Sequence, residues 1–172
     1  KHVESIAINY RSSIGHYIFC STPCVYKIPP PCPLNEKAPR IFDENTYGGD
    51  KALVEDLLLK QYNDSHWPVT IFRPQGVFGQ YDSWQVGFVY YRLIRSLPIF
   101  VFPENNSLAN PLFVDDLVNV FLLSMNDSVS YGSTYGVAGD DVVSLFEFIE
   151  ICGKQINCTP ILHYVDKPAM YD

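Results

Sequence analysis

Residues 50–72, DKALVEDLLLKQYNDSHWPVTIF, decide the fold. From Asp50 to Tyr62 the apolar positions Leu53, Val54, Leu57 and Leu58 recur at helical spacing, which predicts an amphipathic helix with Glu55, Asp56 and Lys60 on its other side. Pro68 closes that pattern. Val69 to Phe72 is β-branched and aromatic, a strand that ends at Arg73-Pro74 and opens into a loop holding Gly76 and Gly79. Upstream, His16 to Ser21 (HYIFCS) reads as a short buried strand between Gly15 and Pro23. Strand, helix and strand at this spacing form one α/β unit.

The alternation continues downstream. A helix is expected from about Val86 to Ser96 and a short strand over Ile99 to Phe102. Asp115 precedes Leu117, Val118, Val120, Phe121 and Leu122, where its carboxylate would cap the free amides of a third helix. Tyr135 to Ala138 reads as a strand, Ser144 as the cap of a helix with Leu145, Phe148, Ile149 and Cys152 on its apolar face, and Ile161 to Val165 as a last strand. Residues 27–40, with the run Pro29-Pro30-Pro31, can continue neither a helix nor a central strand, so this stretch is ordered only if something packs on it. The fold class that results is α/β with a parallel sheet.

Composition narrows the function. The chain has 172 residues, 47% of them apolar, and a formal charge of −7, so no cationic field attracts nucleic acid or an anionic bilayer. Asp115, Asp116 and Asn119 interrupt the run Phe113 to Met125, well short of the roughly 20 apolar residues of a membrane span. Cys20, Cys24, Cys32, Cys152 and Cys158 make an odd count without metal-type pairs, which predicts reduced thiols and a cytoplasmic location. The histidines likewise lack a metal-binding spacing. Opening on Lys1, with no leader visible, the sequence is expected to be a fragment of a longer protein.

Chemistry enters at Tyr47-Gly48-Gly49-Asp50-Lys51. A lysine four residues after a tyrosine lies one helical turn further along the same face. A phenol is a weak base at neutral pH, and a neighbouring ammonium favours its anion, so such a pair suits proton transfer. In a chain with 12 tyrosines the same spacing also describes a surface tyrosine beside a solvated lysine. Order along the chain sharpens the reading.

Ser21 to Tyr26 reads S-T-x-x-V-Y, Tyr47 to Lys51 Y-x-x-x-K, and Arg73 to Asp82 R-P-x-x-V-F-G-x-x-D. In that order they resemble the extended short-chain dehydrogenases/reductases, above all NAD-dependent epimerases and dehydratases, and Phe113 to Leu117 (FVDDL) and Tyr135 to Gly139 (YGVAG) extend the resemblance over nearly the whole chain. The resemblance implies the C-terminal portion of a doubly wound, Rossmann-like parallel sheet plus a small substrate-binding region. Residues 1–80 would be the C-terminal half of an NAD(P)-binding domain, and residues 81–172 mainly the substrate region, with segments returning to the sheet. It implies Thr22 as the hydroxyl that meets the substrate oxygen, Tyr47 as general acid/base, and Lys51 as the cation that holds the nicotinamide ribose. It further places Arg73 and Pro74 beside the cofactor, NAD or NADP, and Val77 and Phe78 beside a small-molecule substrate. A homodimer through the Lys51 helix, with Leu57 and Leu58 on its face, is implied as well. Two alternatives stay open: Thr22 as a strand-end hydroxyl capping a turn, and Arg73 as a structural ion-pair partner.

The sequence departs from the family pattern in three places. No G-x-x-G-x-x-G run is present, and in the family it would lie roughly a hundred residues before Tyr47, where backbone amides cradle the pyrophosphate. We therefore expect that motif outside this sequence. Pro23-Cys24 replace the acidic pair that follows the active-site threonine in dehydratases, which argues against dehydration. Ser107 to Pro111 lacks the arginine that many sugar-nucleotide epimerases carry before the V-D-D step. The activity implied is hydride transfer at a hydroxyl or carbonyl carbon, of a sugar derivative among other small molecules. The other reading is a protein that keeps this fold for binding or regulation without catalysis.

Overall fold

The computed structural model of the protein describes residues 2–43, 45–82, 86–102 and 108–165, so Ser107 lies outside the described residues. In chain order the elements are α1 (His2–Asn9), β1 (Tyr17–Cys20), α2 (Tyr47–Ser65), β2 (Val69–Pro74), β3 (Val77–Phe78), α3 (Val86–Ile94) and β4 (Ile99–Val101). There follow β5 (Leu108–Ala109), β6 (Leu112–Phe113), α4 (Val114–Ser124), β7 (Ser133–Val137), β8 (Val143–Ser144), α5 (Leu145–Gln155) and β9 (Leu162–Tyr164). They divide into two compact units, residues 1–75 with 115–138, and residues 76–114 with 139–172.

The first unit holds a three-stranded sheet in the order β1-β2-β7, parallel throughout, with Tyr17 against Val69 and Thr70 against Ser133. Helix α2 is the crossover from β1 to β2, as parallel neighbours require. Phe19, Val69 and Ile71 of the sheet pack with Leu58 of α2, Ala7 of α1 and Trp67, and each such large side chain contributes about 1.5–3 kcal/mol by leaving water. Phe72 alternates to the other face and stacks on Phe121 of α4 and Tyr135 of β7, with centroids 5.3 and 5.7 Å away. Nothing in the sequence reading anticipated α1.

Helix α2 overruns its expected ends on both sides. Thr46 caps it, accepting the Gly49 N–H at 3.1 Å, and it stops at His66, whose φ of 53° is left-handed. Its expected polar face needs correcting. Leu53 is 36% exposed, while Glu55 is 0% exposed and shares the buried stripe with Gly48, Ala52 and Leu58. Leu58 is also fully buried within its own unit, which removes it from the expected dimer face. Asp115 is not a cap either: α4 starts one residue earlier, and Asp115 and Asp116 sit in its first turn, where a negative charge still meets the helix dipole favourably.

His16, just before β1, ties the N-terminal ends of all three strands. Its Nδ1 accepts the Asn126 N–H at 3.2 Å, which assigns the ring proton to Nε2, 2.9 Å from the Thr70 hydroxyl. Thr70 in turn donates to the Ser130 carbonyl at 2.9 Å. Burial lowers the His16 pKa, against an opposing pull from Asp127. A group whose folded pKa is depressed binds more protons when unfolded, so its contribution is present above the usual histidine value of about 6.5 and is lost as pH falls from there through the lower folded value. Thermal unfolding followed from about pH 8 down to about pH 5 is expected to show this loss, with a shallower slope in His16→Gln.

The second unit buries Val86, Val89 and Leu93 of α3 against Ile99 and Val101 of β4 and Ile149 and Cys152 of α5. Its strands pair in twos: β3 with β6 and β4 with β9, both parallel, and β5 with β8, antiparallel. Ser144 caps α5 as expected, in a reciprocal box with Glu147. The Gly76/Gly79 loop contains the short strand β3, and a Cβ at Gly79 would lie 2.4 Å from Cγ1 of Val114.

Candidate active site

The first unit gathers its chemistry at the C-terminal end of β1, the end at which open α/β sheets bind ligands. The chain leaves β1 at Cys20, and the Ser21 N–H bonds the Phe72 carbonyl at 2.7 Å. Thr22 is buried, and its Oγ1 accepts the Cys24 N–H at 3.2 Å to cap the 3-10 turn Pro23–Val25. The turn-capping alternative is thus realised, while the hydroxyl hydrogen remains for a second partner.

Tyr47 opens α2, and the two glycines after it let that helix end sit close. A Cβ on Gly48 would stand 2.0 Å from the Cys24 carbonyl oxygen, and one on Gly49 1.8 Å from that of Asp43. The Tyr47 side chain is 63% exposed, and its hydroxyl has no hydrogen-bond partner among the described residues. Lys51 Nζ donates to the Cys20 carbonyl at 2.8 Å and lies 4.7 Å from the Phe19 ring centroid and 5.9 Å from that of Tyr47. The carbonyl and the Phe19 ring hold the ammonium, so its charge stands beside the phenol. The fold therefore brings Tyr47 and Lys51 together and seats their helix on the turn that follows Thr22.

Arg73 is used differently from the cofactor contact expected of it. It is 3% exposed and grips Glu55 with both edges of its fork, Nε to Oε1 at 2.9 Å and a terminal nitrogen to Oε2 at 2.6 Å. Its other terminal nitrogen donates to the Tyr26 hydroxyl at 2.7 Å and the Glu36 carbonyl at 3.0 Å. With four N–H groups engaged inside the protein, the guanidinium is a structural ion-pair partner and is not turned to a ligand. Ser21 donates to Glu55 Oε1 at 2.6 Å, Arg40 reaches Oε2 at 2.9 Å, and the Glu36 carboxylate accepts the Gly136 N–H of β7 at 2.8 Å. Burial pushes the Glu55 carboxyl up, but the bonds from Arg73, Ser21 and Arg40 outweigh it and hold the pKa below the usual carboxylate value. These contacts also order the proline-rich stretch, through Tyr26, Glu36 and Arg40. The sequence carried one signal for this group: Tyr47, Lys51 and Glu55 recur every four residues and so share a helix face.

Pro74 ends β2 and is buried. Val77 and Phe78 belong to the second unit, half-buried in β3, where Phe78 meets Phe113 and Phe148 edge-on at 5.5 and 6.4 Å.

Residues 4–138 match the NAD dependent epimerase/dehydratase family. The chain belongs to that family. No curated protein matches it. Among solved structures, it is similar to UDP-N-acetylglucosamine 4-epimerase from Methanobrevibacter ruminantium in complex with UDP-N-acetylmuramic acid, at 20% identity and a TM-score of 0.83, covering 95% of this chain and 54% of that one. UDP-glucuronic acid 4-epimerase from Bacillus cereus, in complex with UDP-glucuronic acid and NAD, gives 17% identity and 0.79 over 95% of this chain and 52% of its own. dTDP-glucose 4,6-dehydratase from Bacillus anthracis, in complex with NAD, gives 17% and 0.74 over 87% and 49%. These likenesses establish the fold, and the chain spans about half the length of each structure.

The family's dinucleotide can be tested against the residues present. Lys51 gives one of its three N–H groups to Cys20, and the phenol of Tyr47 is free to bond, a donor set that suits ribose hydroxyls. The pyrophosphate end has no such counterpart in this sequence. At Gly48 and Gly49 the space that an anion cradle would need is filled by this chain's own carbonyls. The residues thus fit the nicotinamide end of NAD(P).

Proposed function

We propose that this chain supplies the proton-transfer groups of an NAD(P)-dependent oxidoreductase or epimerase acting by hydride transfer at a hydroxyl- or carbonyl-bearing carbon of a sugar-class small molecule. The observation that carries the reading is the placement of Lys51, fixed by the Cys20 carbonyl and the Phe19 ring with its charge 5.9 Å from the Tyr47 ring. In this reading the Tyr47 hydroxyl exchanges a proton with the substrate hydroxyl as hydride leaves or returns. Thr22 offers its hydroxyl hydrogen to the same substrate oxygen. Lys51 holds the ribose hydroxyls with the N–H groups that the Cys20 carbonyl leaves free. NAD(P), when bound, supplies the hydride acceptor and donor.

Val77 and Phe78 are our candidates on the substrate side. Pro23-Cys24, in place of an acidic pair, favours oxidation or epimerisation over dehydration. The UDP-sugar epimerases of like fold support the sugar class. The free cysteines support a reducing compartment such as the cytoplasm, and among the described residues no helix is long and apolar enough to cross a membrane.

The test uses the full-length protein. It is titrated with NAD and NADP by calorimetry, then incubated with UDP-glucose, UDP-N-acetylglucosamine and UDP-glucuronic acid while epimer formation is followed by NMR. Saturable binding of one dinucleotide, with conversion of a sugar, is expected. Failure to bind either dinucleotide would sink the proposal.

A further inference from the structure

We infer that Glu55 is a positioning residue, which sets the strand end bearing Thr22 against the helix bearing Tyr47 and Lys51; the inference rests on the function proposed above. Glu55 lies one turn beyond Lys51 and two beyond Tyr47 on the same helix. Its carboxylate receives hydrogen bonds from three separate segments: Ser21 at the end of β1, Arg73 at the end of β2, and Arg40 from the proline-rich stretch. Ser21 is the residue next to Thr22. The carboxylate therefore joins the neighbour of Thr22 to the helix that carries Tyr47 and Lys51, and so sets the Thr22 hydroxyl against the Tyr47 phenol, the two groups that the proposed reaction brings to one substrate oxygen. Through Arg73 and Glu36 the same network reaches Tyr26 and the Gly136 amide of β7.

Energetics favour a geometric role over a stabilising one. Well-packed apolar residues of similar volume stabilise an interior as well as or better than a buried ion pair, because desolvation of the charges offsets their attraction. What a charge cluster adds is direction. Each bond to Glu55 has a fixed donor and angle, so the helix cannot slide along the sheet without losing several at once. Glu55 is 0% exposed, so it cannot itself meet a substrate.

The full-length protein tests this with Glu55→Gln, which keeps shape and one acceptor oxygen, and with Ser21→Ala, which removes only the donor beside Thr22. Turnover of the UDP-sugar that the wild type converts is measured well below each variant's melting temperature. NAD affinity is measured in parallel. We expect kcat to fall about tenfold or more in Glu55→Gln and about threefold in Ser21→Ala, with KM and dinucleotide affinity within about twofold, since small misplacement of reacting groups costs rate before binding. Folded variants with wild-type kcat would overturn the inference, and a purely structural role would lower the melting temperature alone. Should Glu55→Gln fail to fold, Ser21→Ala decides by the same criterion. Tyr47→Phe is run alongside: wild-type turnover there would overturn the proposed function, and the positioning role with it. Loss in Tyr47→Phe but not in Ser21→Ala and Glu55→Gln overturns the positioning role alone.

Discussion

Replacing Tyr47 by phenylalanine in the full-length protein is expected to lower turnover by about 10²–10⁴-fold, the usual worth of a positioned general acid/base, while leaving the fold nearly unchanged and weakening dinucleotide binding by no more than about tenfold, the worth of one hydrogen bond. The structure makes this substitution unusually clean. The ring is 63% exposed and its hydroxyl bonds nothing among the described residues, so deleting the oxygen leaves no buried group unpaired. Stability should move by less than about 0.5 kcal/mol. Lys51 keeps both of its anchors, the Cys20 carbonyl and the Phe19 ring, since neither depends on the phenol oxygen. Turnover at saturating sugar, calorimetric NAD affinity and melting temperature together check the claim. Undiminished turnover would remove Tyr47 from the chemistry, whereas a parallel loss of affinity would shift its role to holding the cofactor.

How much of this could be read from the residues depends on how each advertises itself. The strands Tyr17–Cys20 and Val69–Pro74 and the helix between them were legible, because β-branched and aromatic runs and a helical recurrence of leucines are local signals. Tyr47 and Lys51 were legible for the same reason, being one turn apart on that helix. The orientation of α2 was not. A face made of Gly48, Ala52, Glu55 and Leu58 carries two residues too small to register as apolar and one charge that a pattern assigns to solvent. Glu55 is inside only because Arg73, Arg40 and Ser21 meet it there, and those partners are 18, 15 and 34 residues away. For Arg73 the motif gave the position but not the direction. Its side chain leaves β2 toward the interior pair, a fact set by where the helix puts Glu55. The order of the proline-rich stretch is likewise a long-range matter, since it hangs on Tyr26, Glu36 and Arg40 finding partners elsewhere. Helix α1 offers only Ala7 as a buried residue, too little apolar surface to mark a periodicity.

Arg73→Met is the substitution that separates a structural arginine from a cofactor ligand. Methionine fills much of the same volume but withdraws four hydrogen bonds, two of them from a carboxylate that has no access to water. Breaking a buried pair by removing one partner costs about 3–5 kcal/mol, because the remaining charge keeps its desolvation penalty without its compensation. A loss of that size in denaturant or thermal unfolding is expected. Arg40 alone cannot offset it, being 19% exposed and shared with Asp56. The sign of the pH dependence supplies a second check. In the wild type the Glu55 pKa is lowered, so its contribution is present above the usual value of about 4.3 and lost as pH falls through the folded value. Without Arg73 the largest of the lowering influences is gone while burial still pushes the carboxyl up, so its pKa rises from the wild-type position and protonation relieves the stranded carboxylate. The variant's deficit should therefore be smaller at about pH 5 than at about pH 7.5. Dinucleotide affinity, measured on the fraction that remains folded, should stay within about threefold of wild type, because a guanidinium committed to Glu55, Tyr26 and Glu36 has no free edge to offer a ribose or phosphate. A large loss of affinity in a well-folded Arg73→Met protein would instead return Arg73 to the cofactor.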